Sequence, residues 1–275
     1  STRKESSAAS DVYKRQDLRV KEVPVREPED NEVVIRVKYC GVCGTDIHIF
    51  HGDGGCCDVK PPLIPGHEFS GVVEKVGAAV KTVKPGDRVA GNPNDMCGEC
   101  YFCKNGKEHF CENNIGVGTT VDGGFAEYVV LREKQVYKFS ENLSFIEAAM
   151  AEPISCCLNA IDLCNVQMGS TVLVIGGGPI GMIMLQLAGY AGASKLILSE
   201  PVEEKREQAL KPGATKTINP LEENVQEVLN EYCKNVDVVI ECVGNIKTQE
   251  QAVQFAGKAA TVMLLSLIHI SEPTR

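Results

Sequence analysis

Thr171-Val172-Leu173-Val174-Ile175-Gly176-Gly177-Gly178-Pro179-Ile180-Gly181 decides how this chain is read. A continuous apolar run ends in a glycine-rich turn, and the turn opens an apolar helix over 180–191. An unbroken apolar strand is what a parallel sheet buries on both faces. The turn spells G-x-G-x-x-G, which alone is weak. Between a strand and a helix in a βαβ unit, it has the context that dinucleotide binding requires. Gly176 permits the tight turn, Gly178 lets a pyrophosphate approach the backbone, and Gly181 lets helix and strand pack closely. Phosphates would sit where Pro179 and Ile180 begin the helix, at the positive end of its dipole. Glu200 closes the next strand, 195–199. A carboxylate there can accept hydrogen bonds from both ribose hydroxyls and repels a 2′-phosphate, which favours NAD over NADP. Lys205 could reach the same ribose. The competing readings are a plain turn, a solvated strand end and an ordinary surface lysine.

Downstream the pattern alternates. Helices are expected over 202–210, 224–233 and 248–256, strands over 236–240 and 260–265, and a weak strand near Lys216. Such alternation means a doubly wound parallel sheet. Its strands fall short of the six in a complete Rossmann sheet. Upstream, from 17 to 136, short strands and turns dominate, with strands expected over 32–37, 69–76, 87–90 and 125–131. Lys84-Pro85-Gly86-Asp87 is a turn. Many short strands without long helices point to a compact β barrel. Ser144-Phe145-Ile146-Glu147 reads as a capping box opening a helix, and a second helix follows Pro153 towards Cys164.

Within the barrel region lies Cys97-Gly98-Glu99-Cys100-Tyr101-Phe102-Cys103, closed by Cys111. Four thiolates at these spacings can surround one tetrahedral Zn²⁺. The filler is polar and cannot form a core, so a metal must hold the loop. A disulfide pair or an iron–sulfur cluster are the rivals. Four sulfurs leave no open position, so this metal would be structural. A second set is scattered. Cys43-Gly44-Thr45-Asp46-Ile47-His48 follows a strand, Gly66-His67-Glu68 follows a Pro-rich turn, and Glu152 precedes Pro153. One thiolate, one imidazole and one carboxylate could hold Zn²⁺ with a position left for substrate. Taken alone, His67 could be a structural histidine and Glu152 a helix cap.

The chain has 275 residues, 43% of them apolar, and a formal net charge of −9. That size suits two domains. The negative balance argues against a nucleic-acid partner. No apolar run reaches a membrane span and no signal-peptide pattern opens the chain. Thirteen cysteines in a chain this long read as metal ligands and buried thiols in a reducing cytoplasm rather than as disulfides. Cys56 and Cys57 read as loop thiols, and Cys156, Cys157 and Cys164 as helix core. Cys242, beside Gly244 at a strand end, reads as packing near the nicotinamide. Residues 1–16 and 268–275 look like non-native flanking sequence.

In their order, Cys43 to His48, Gly66-His67-Glu68, the four-cysteine lobe and Gly176 to Gly181 resemble the zinc-dependent medium-chain alcohol/polyol dehydrogenases. Val83-Lys84-Pro85-Gly86-Asp87-Arg88-Val89 and Gly123-Gly124-Phe125-Ala126-Glu127-Tyr128 match as well. The resemblance implies a GroES-like catalytic domain over 17–158 and a truncated NAD-binding Rossmann domain over 159–267, with the active site in the cleft between them. It makes Cys43 and His67 ligands of a catalytic zinc, Glu68 a direct or exchanging ligand, and Glu152 a ligand of the polyol-dehydrogenase type. Thr45 and His48 would relay the proton, and Asp46 would orient His67. Blander roles are a turn cap for Asp46, a buried hydrogen-bond partner for Glu68 and a surface turn for His48. The implied cofactors are two zinc ions per chain, one catalytic and one structural, and NAD. The implied substrate is a small secondary alcohol, with a polyol or vicinal diol ahead of L-threonine or butanediol. The full-length form would be a homodimer or homotetramer. A non-catalytic NAD- and zinc-binding fragment is the alternative of another class.

Overall fold

The structure, a computed structural model, describes residues 6–14, 16–52 and 59–265. Cys56 and Cys57, and the flanking 268–275, lie outside them. The chain divides into two compact units, Ser1–Glu152 and Pro153–Arg275.

The first unit opens with a hairpin, β1 (Ser6–Lys14) against β2 (Asp17–Pro24), paired antiparallel. Sequence patterning predicts no element over 6–14, so this strand is a finding of the structure. There follow β3 (Glu32–Gly41), α1 (Gly44–His51), β4 (Glu68–Val76), β5 (Arg88–Gly91), β6 (Asn94–Asp95), α2 (Tyr101–Lys104), β7 (Ile115–Gly116), β8 (Tyr128–Arg132), β9 (Val136–Lys138) and α3 (Phe145–Ala149). Five of the strands form an antiparallel sheet in the order β8-β3-β4-β5-β9. Its core is Val33, Ile35, Phe69, Val73, Val89, Val129 and Leu131. Register shifts between Val34 and Ile35 and between Val37 and Tyr39 interrupt the β3–β4 ladder. Bulges of this kind bend and twist a strand, and the ladder resumes after them as far as Gly41 against Glu68, past the end expected at Val37. The expected capping box forms: Ser144 Oγ accepts the Glu147 N–H at 3.2 Å, and Glu147 Oε2 accepts the Ser144 N–H at 2.7 Å.

Alternation predicts β3 to be half-buried, yet Glu32 through Ile35 are all buried. The charge of Glu32 is tolerated because Arg26 meets it with two N–H groups, Nη1 at 2.5 Å and Nη2 at 2.8 Å. These hydrogen bonds hold the Glu32 carboxyl below its ordinary range, with the Glu29 N–H and the charges of Arg26 and Arg132 helping. A lowered folded-state value means stability that is present above the ordinary carboxylate range and lost as pH falls through the folded value. Glu32→Gln should therefore cost about 0.5–1 kcal/mol at pH 7, a modest figure because Arg26 is half exposed and water screens the pair. The gap to wild type should close below about pH 4. Denaturant melts at several pH values check this, and a gap that widens with acid would contradict it.

α4 (Ala151–Cys164) carries Glu152 in its first turn, where Pro153 is also tolerated. The second unit then alternates: β10 (Thr171–Ile175), α5 (Pro179–Tyr190), β11 (Lys195–Ser199), α6 (Glu203–Leu210), β12 (Lys216–Ile218), α7 (Val225–Tyr232), β13 (Val238–Glu241), α8 (Ile246–Phe255) and β14 (Thr261–Leu264). All five strands pair in parallel, in the order β12-β11-β10-β13-β14. Because side chains alternate along a strand, Val172 and Val174 join one core with Cys157, Cys164, Met184, Leu185 and Leu198. Leu173 and Ile175 join another with Ile197, Ile218, Leu229 and Phe255. A sheet covered on both faces is the doubly wound arrangement expected, here with five strands among the described residues. Among the described residues, no helix is long and apolar enough to cross a membrane.

Candidate functional site

The two metal-ligand sets form as two separate groups, both in the first unit. In the lobe, the sulfurs of Cys97, Cys100, Cys103 and Cys111 all lie within 4.8 Å of one another. Each x2 step turns the chain so that a backbone N–H faces a sulfur: Cys100 N–H donates to Cys97 Sγ at 3.4 Å, and Cys103 N–H to Cys100 Sγ at 3.5 Å. Cys97 N–H donates to Cys111 Sγ at 3.3 Å. The Glu99 and Cys100 N–H groups draw the Cys97 thiol down to about 6, which readies a thiolate. Burial instead pushes Cys103 up to about 12. The sulfurs of Cys97 and Cys111 are 3.5 Å apart, too far for a disulfide. Four thiols converging on one point, with only Cys103 buried among them, fit a zinc ion in place of a core. At the lobe's base Asp95 is paired with Arg132 at 3.2 Å and Lys134 at 2.5 Å.

The second group is Cys43, His67 and Glu68, with ligand atoms likewise within 4.8 Å. Strand register brings them together across a long stretch of sequence. Gly41 at the end of β3 pairs with Glu68 at the start of β4, so Cys43 and His67 leave the ladder at the same edge. A Cβ on Gly41 would collide with Glu68 Oε2, so glycine there makes room for the carboxylate. Cys43 caps α1, a helix that sequence patterning does not predict. Asp46 builds this corner: Oδ2 accepts the Cys43 N–H at 2.9 Å and Oδ1 the Gly66 N–H at 3.2 Å. Asp46 thus acts as the turn cap named above and also ties the Cys43 and His67 segments together. Its Oδ1 lies 3.6 Å from His67 Nδ1, beyond hydrogen-bond range, and that buried nitrogen has no hydrogen-bond partner among the described residues.

The electrostatics fit a cation. Burial works against a charged His67, yet Asp46 and Cys43 outweigh it and raise the imidazole to about 10. Burial raises the Glu68 carboxyl; His67 opposes that, and Glu152 adds to it. Glu152 is thus within electrostatic reach of Glu68, although its carboxylate is not one of the converging atoms. On α1, Thr45 Oγ1 is 3.8 Å from Cys43 Sγ. His48, three residues on, shares that helix face with Thr45; both are half-buried. A cavity of about 490 Å³ in this unit, lined by Val23 to Arg26, Ile64, Val121 to Gly123 and Tyr128 to Val130, includes none of these ligand candidates.

In the second unit, Gly176 has φ of +100° and a Cβ on Gly181 would collide with the Gly176 carbonyl oxygen. The turn thus requires glycine at both places, as the G-x-G-x-x-G reading expects. Gly178 is the N-cap of α5, with Pro179 in its first turn. Glu200 is buried. Its Oε2 accepts the Gly177 N–H at 2.6 Å, and Oε1 the Val202 N–H at 2.9 Å. Sequence reasoning missed these tethers. They leave about two of the carboxylate's four acceptor positions for a ribose. Lys205 is half-buried on α6.

The family described as Alcohol dehydrogenase GroES-like domain matches residues 29–141, and the family described as Zinc-binding dehydrogenase matches 179–274. The chain belongs to the zinc-binding alcohol dehydrogenase family. It is 39% identical over 251 residues to the L-threonine 3-dehydrogenase of Pyrococcus furiosus, covering 90% of this chain and 71% of that one. Among solved structures, it is similar to a zinc-binding dehydrogenase from Sinorhizobium meliloti 1021 bound to NADP. That likeness has 37% identity and a TM-score of 0.93, and covers 98% of this chain and 80% of that one. It is similar also to galactitol-1-phosphate dehydrogenase from Escherichia coli, with 31% identity, a TM-score of 0.88, and 98% and 78% coverage. As in other zinc-binding alcohol dehydrogenases, a GroES-like domain precedes a Rossmann-like parallel sheet, and the chain is an alcohol/polyol dehydrogenase by family.

Proposed function

We propose that this chain oxidises a secondary alcohol carrying an adjacent hydroxyl, with zinc held by Cys43, His67 and Glu68 and with NAD as coenzyme. The observation that carries the reading is the convergence of thiolate, imidazole and carboxylate in a corner whose negative groups raise His67 to about 10. When bound, zinc supplies Lewis acidity that lowers an alcohol's pKa, on the scale of bound water falling to about 7, and NAD supplies the hydride acceptor. The protein's own part is positioning. Cys43, His67 and Glu68 offer three donors, with Glu152 the fourth candidate. Asp46 fixes the corner that carries Cys43 and His67. Thr45 takes the proton from the substrate hydroxyl, and His48 on the same helix face passes it on. The glycine turn receives the pyrophosphate. Glu200 accepts hydrogen bonds from the adenosine ribose and repels a 2′-phosphate, and Lys205 supports the same ribose. Cys97, Cys100, Cys103 and Cys111 hold a second, structural zinc.

A second reading is L-threonine as substrate, favoured by the threonine dehydrogenase relative above. Oxidation of sorbitol, galactitol 1-phosphate, 2,3-butanediol and L-threonine, each with NAD and with NADP, separates the two. Polyol or diol turnover with NAD supports the first reading and exclusive threonine oxidation the second. Bound zinc and NAD with no turnover of any alcohol would mean a non-catalytic binding protein. The reading extends to a homodimer or homotetramer in a reducing cytoplasm, free of nucleic acid. The absence of a nucleic-acid partner is supported by the net charge of −9.

A further inference from the structure

The turn after β13 is built on a carboxylate with no part in the scheme above. Glu241, the last residue of β13, is fully buried. Its Oε1 accepts the N–H groups of Val243 and Gly244 and the hydroxyl of Thr248, each at 2.8 Å. Its Oε2 is buried with no hydrogen-bond partner among the described residues. Burying a carboxylate with one idle oxygen is costly, and an apolar side chain would fill the space more cheaply. Oε1 does what an apolar side chain cannot: it gathers three donors and so fixes the path of Cys242, Val243 and Gly244. Gly244 is bent to φ of +85° in that path. The turn abuts the dinucleotide loop. Cys242 N–H donates to the Ile175 carbonyl at 2.9 Å, and a Cβ on Gly176 would come within 2.6 Å of Val243 Cγ2.

The sheet order gives this contact its meaning. β10 has β11 on one side and β13 on the other, so the chain changes direction across the sheet there. Ligands of such sheets bind outside the carboxyl ends of the strands at that switch point. Glu200 marks the β11 side for the adenosine ribose. The other half of the dinucleotide then falls on the β13 side, at the turn that Glu241 organises.

We propose that Glu241 is a positioning residue for the nicotinamide half of the coenzyme, acting through the Cys242–Val243–Gly244 turn. This rests on the dinucleotide reading of the glycine loop. The test compares NADH with ADP, which lacks the nicotinamide riboside, by calorimetric titration of the full chain as wild type, Glu241→Gln and Thr248→Val. Glu241→Gln should weaken NADH about tenfold, the equivalent of about one hydrogen bond, and leave ADP within about twofold. Thr248→Val removes one donor to Oε1 without burying a new polar group, and should show a smaller loss for NADH alone. It decides the matter if Glu241→Gln does not fold. Equal losses for both ligands, as from a merely structural role, or no loss in either variant, would overturn the proposal while the dinucleotide reading stands. A wild-type chain that binds neither ligand would overturn both.

Discussion

Cys43→Ser is expected to abolish alcohol oxidation while leaving the fold and NADH binding intact. Cys43 is half-buried at the N-cap of α1, and its side chain is no part of a core cluster. Serine keeps the small polar shape, and the backbone contacts of the corner, Cys43 N–H and Gly66 N–H to Asp46, do not involve the sulfur. What is lost is the one sulfur among the three converging ligand atoms. Lewis acidity towards an alcohol is worth several kcal/mol, so kcat/KM should fall by about 10³-fold or more. The dinucleotide turn lies in the other unit, so the NADH affinity should stay near that of the wild type. Steady-state kinetics, NADH titration and a thermal melt on one preparation check all three expectations. Near-normal turnover would remove Cys43 from the reaction.

Cys100→Ser should do the opposite in kind. Its sulfur accepts the Cys103 N–H, and its own N–H meets Cys97 Sγ, so it sits at the middle of the lobe's turns. The lobe has little else to hold it. Tyr101 and Phe110 are exposed, Cys103 is buried, and the salt bridges of Asp95 secure the base alone. Where a metal replaces a core, losing a ligand means losing the fold of that segment. The melting temperature should drop on the order of 10 °C, proteolysis should cut within 97–111, and zinc content should fall by one equivalent. Turnover lost to unfolding should return, in part, at lower temperature, which Cys43→Ser would never show. A variant that stays as stable as wild type yet turns nothing over would mean the roles of the two groups were exchanged.

The parts of the fold that were legible in the sequence are those whose pattern is local. β10 shows because its residues form a continuous apolar run, which the structure buries throughout, and its turn shows because backbone geometry forces glycine. The lobe shows because all its ligands fall within one short segment. α1 did not show. It is eight residues long, is rich in Ile, Thr and Phe, and has a cysteine rather than a serine or aspartate at its N-cap. The available signal was Asp46, placed three residues after Cys43 to reach back to its N–H, with Gly52 ending the helix at φ of +70°. Spacing alone does not group Cys43 with His67; the family resemblance does, and the Gly41–Glu68 register is the long-range pairing that brings them together. Glu241 lies one residue past the strand expected over 236–240, and nothing in sequence distinguishes a carboxylate that faces water from one that organises a turn.

The central claim is that two zinc sites of different chemistry divide structure from reaction. Zinc-edge X-ray absorption on the Cys43→Ser protein tests it most directly. The account predicts about one zinc per chain, bound by sulfur alone at about 2.3 Å. Remaining zinc with nitrogen or oxygen ligands, or a protein that has lost both ions, would contradict it.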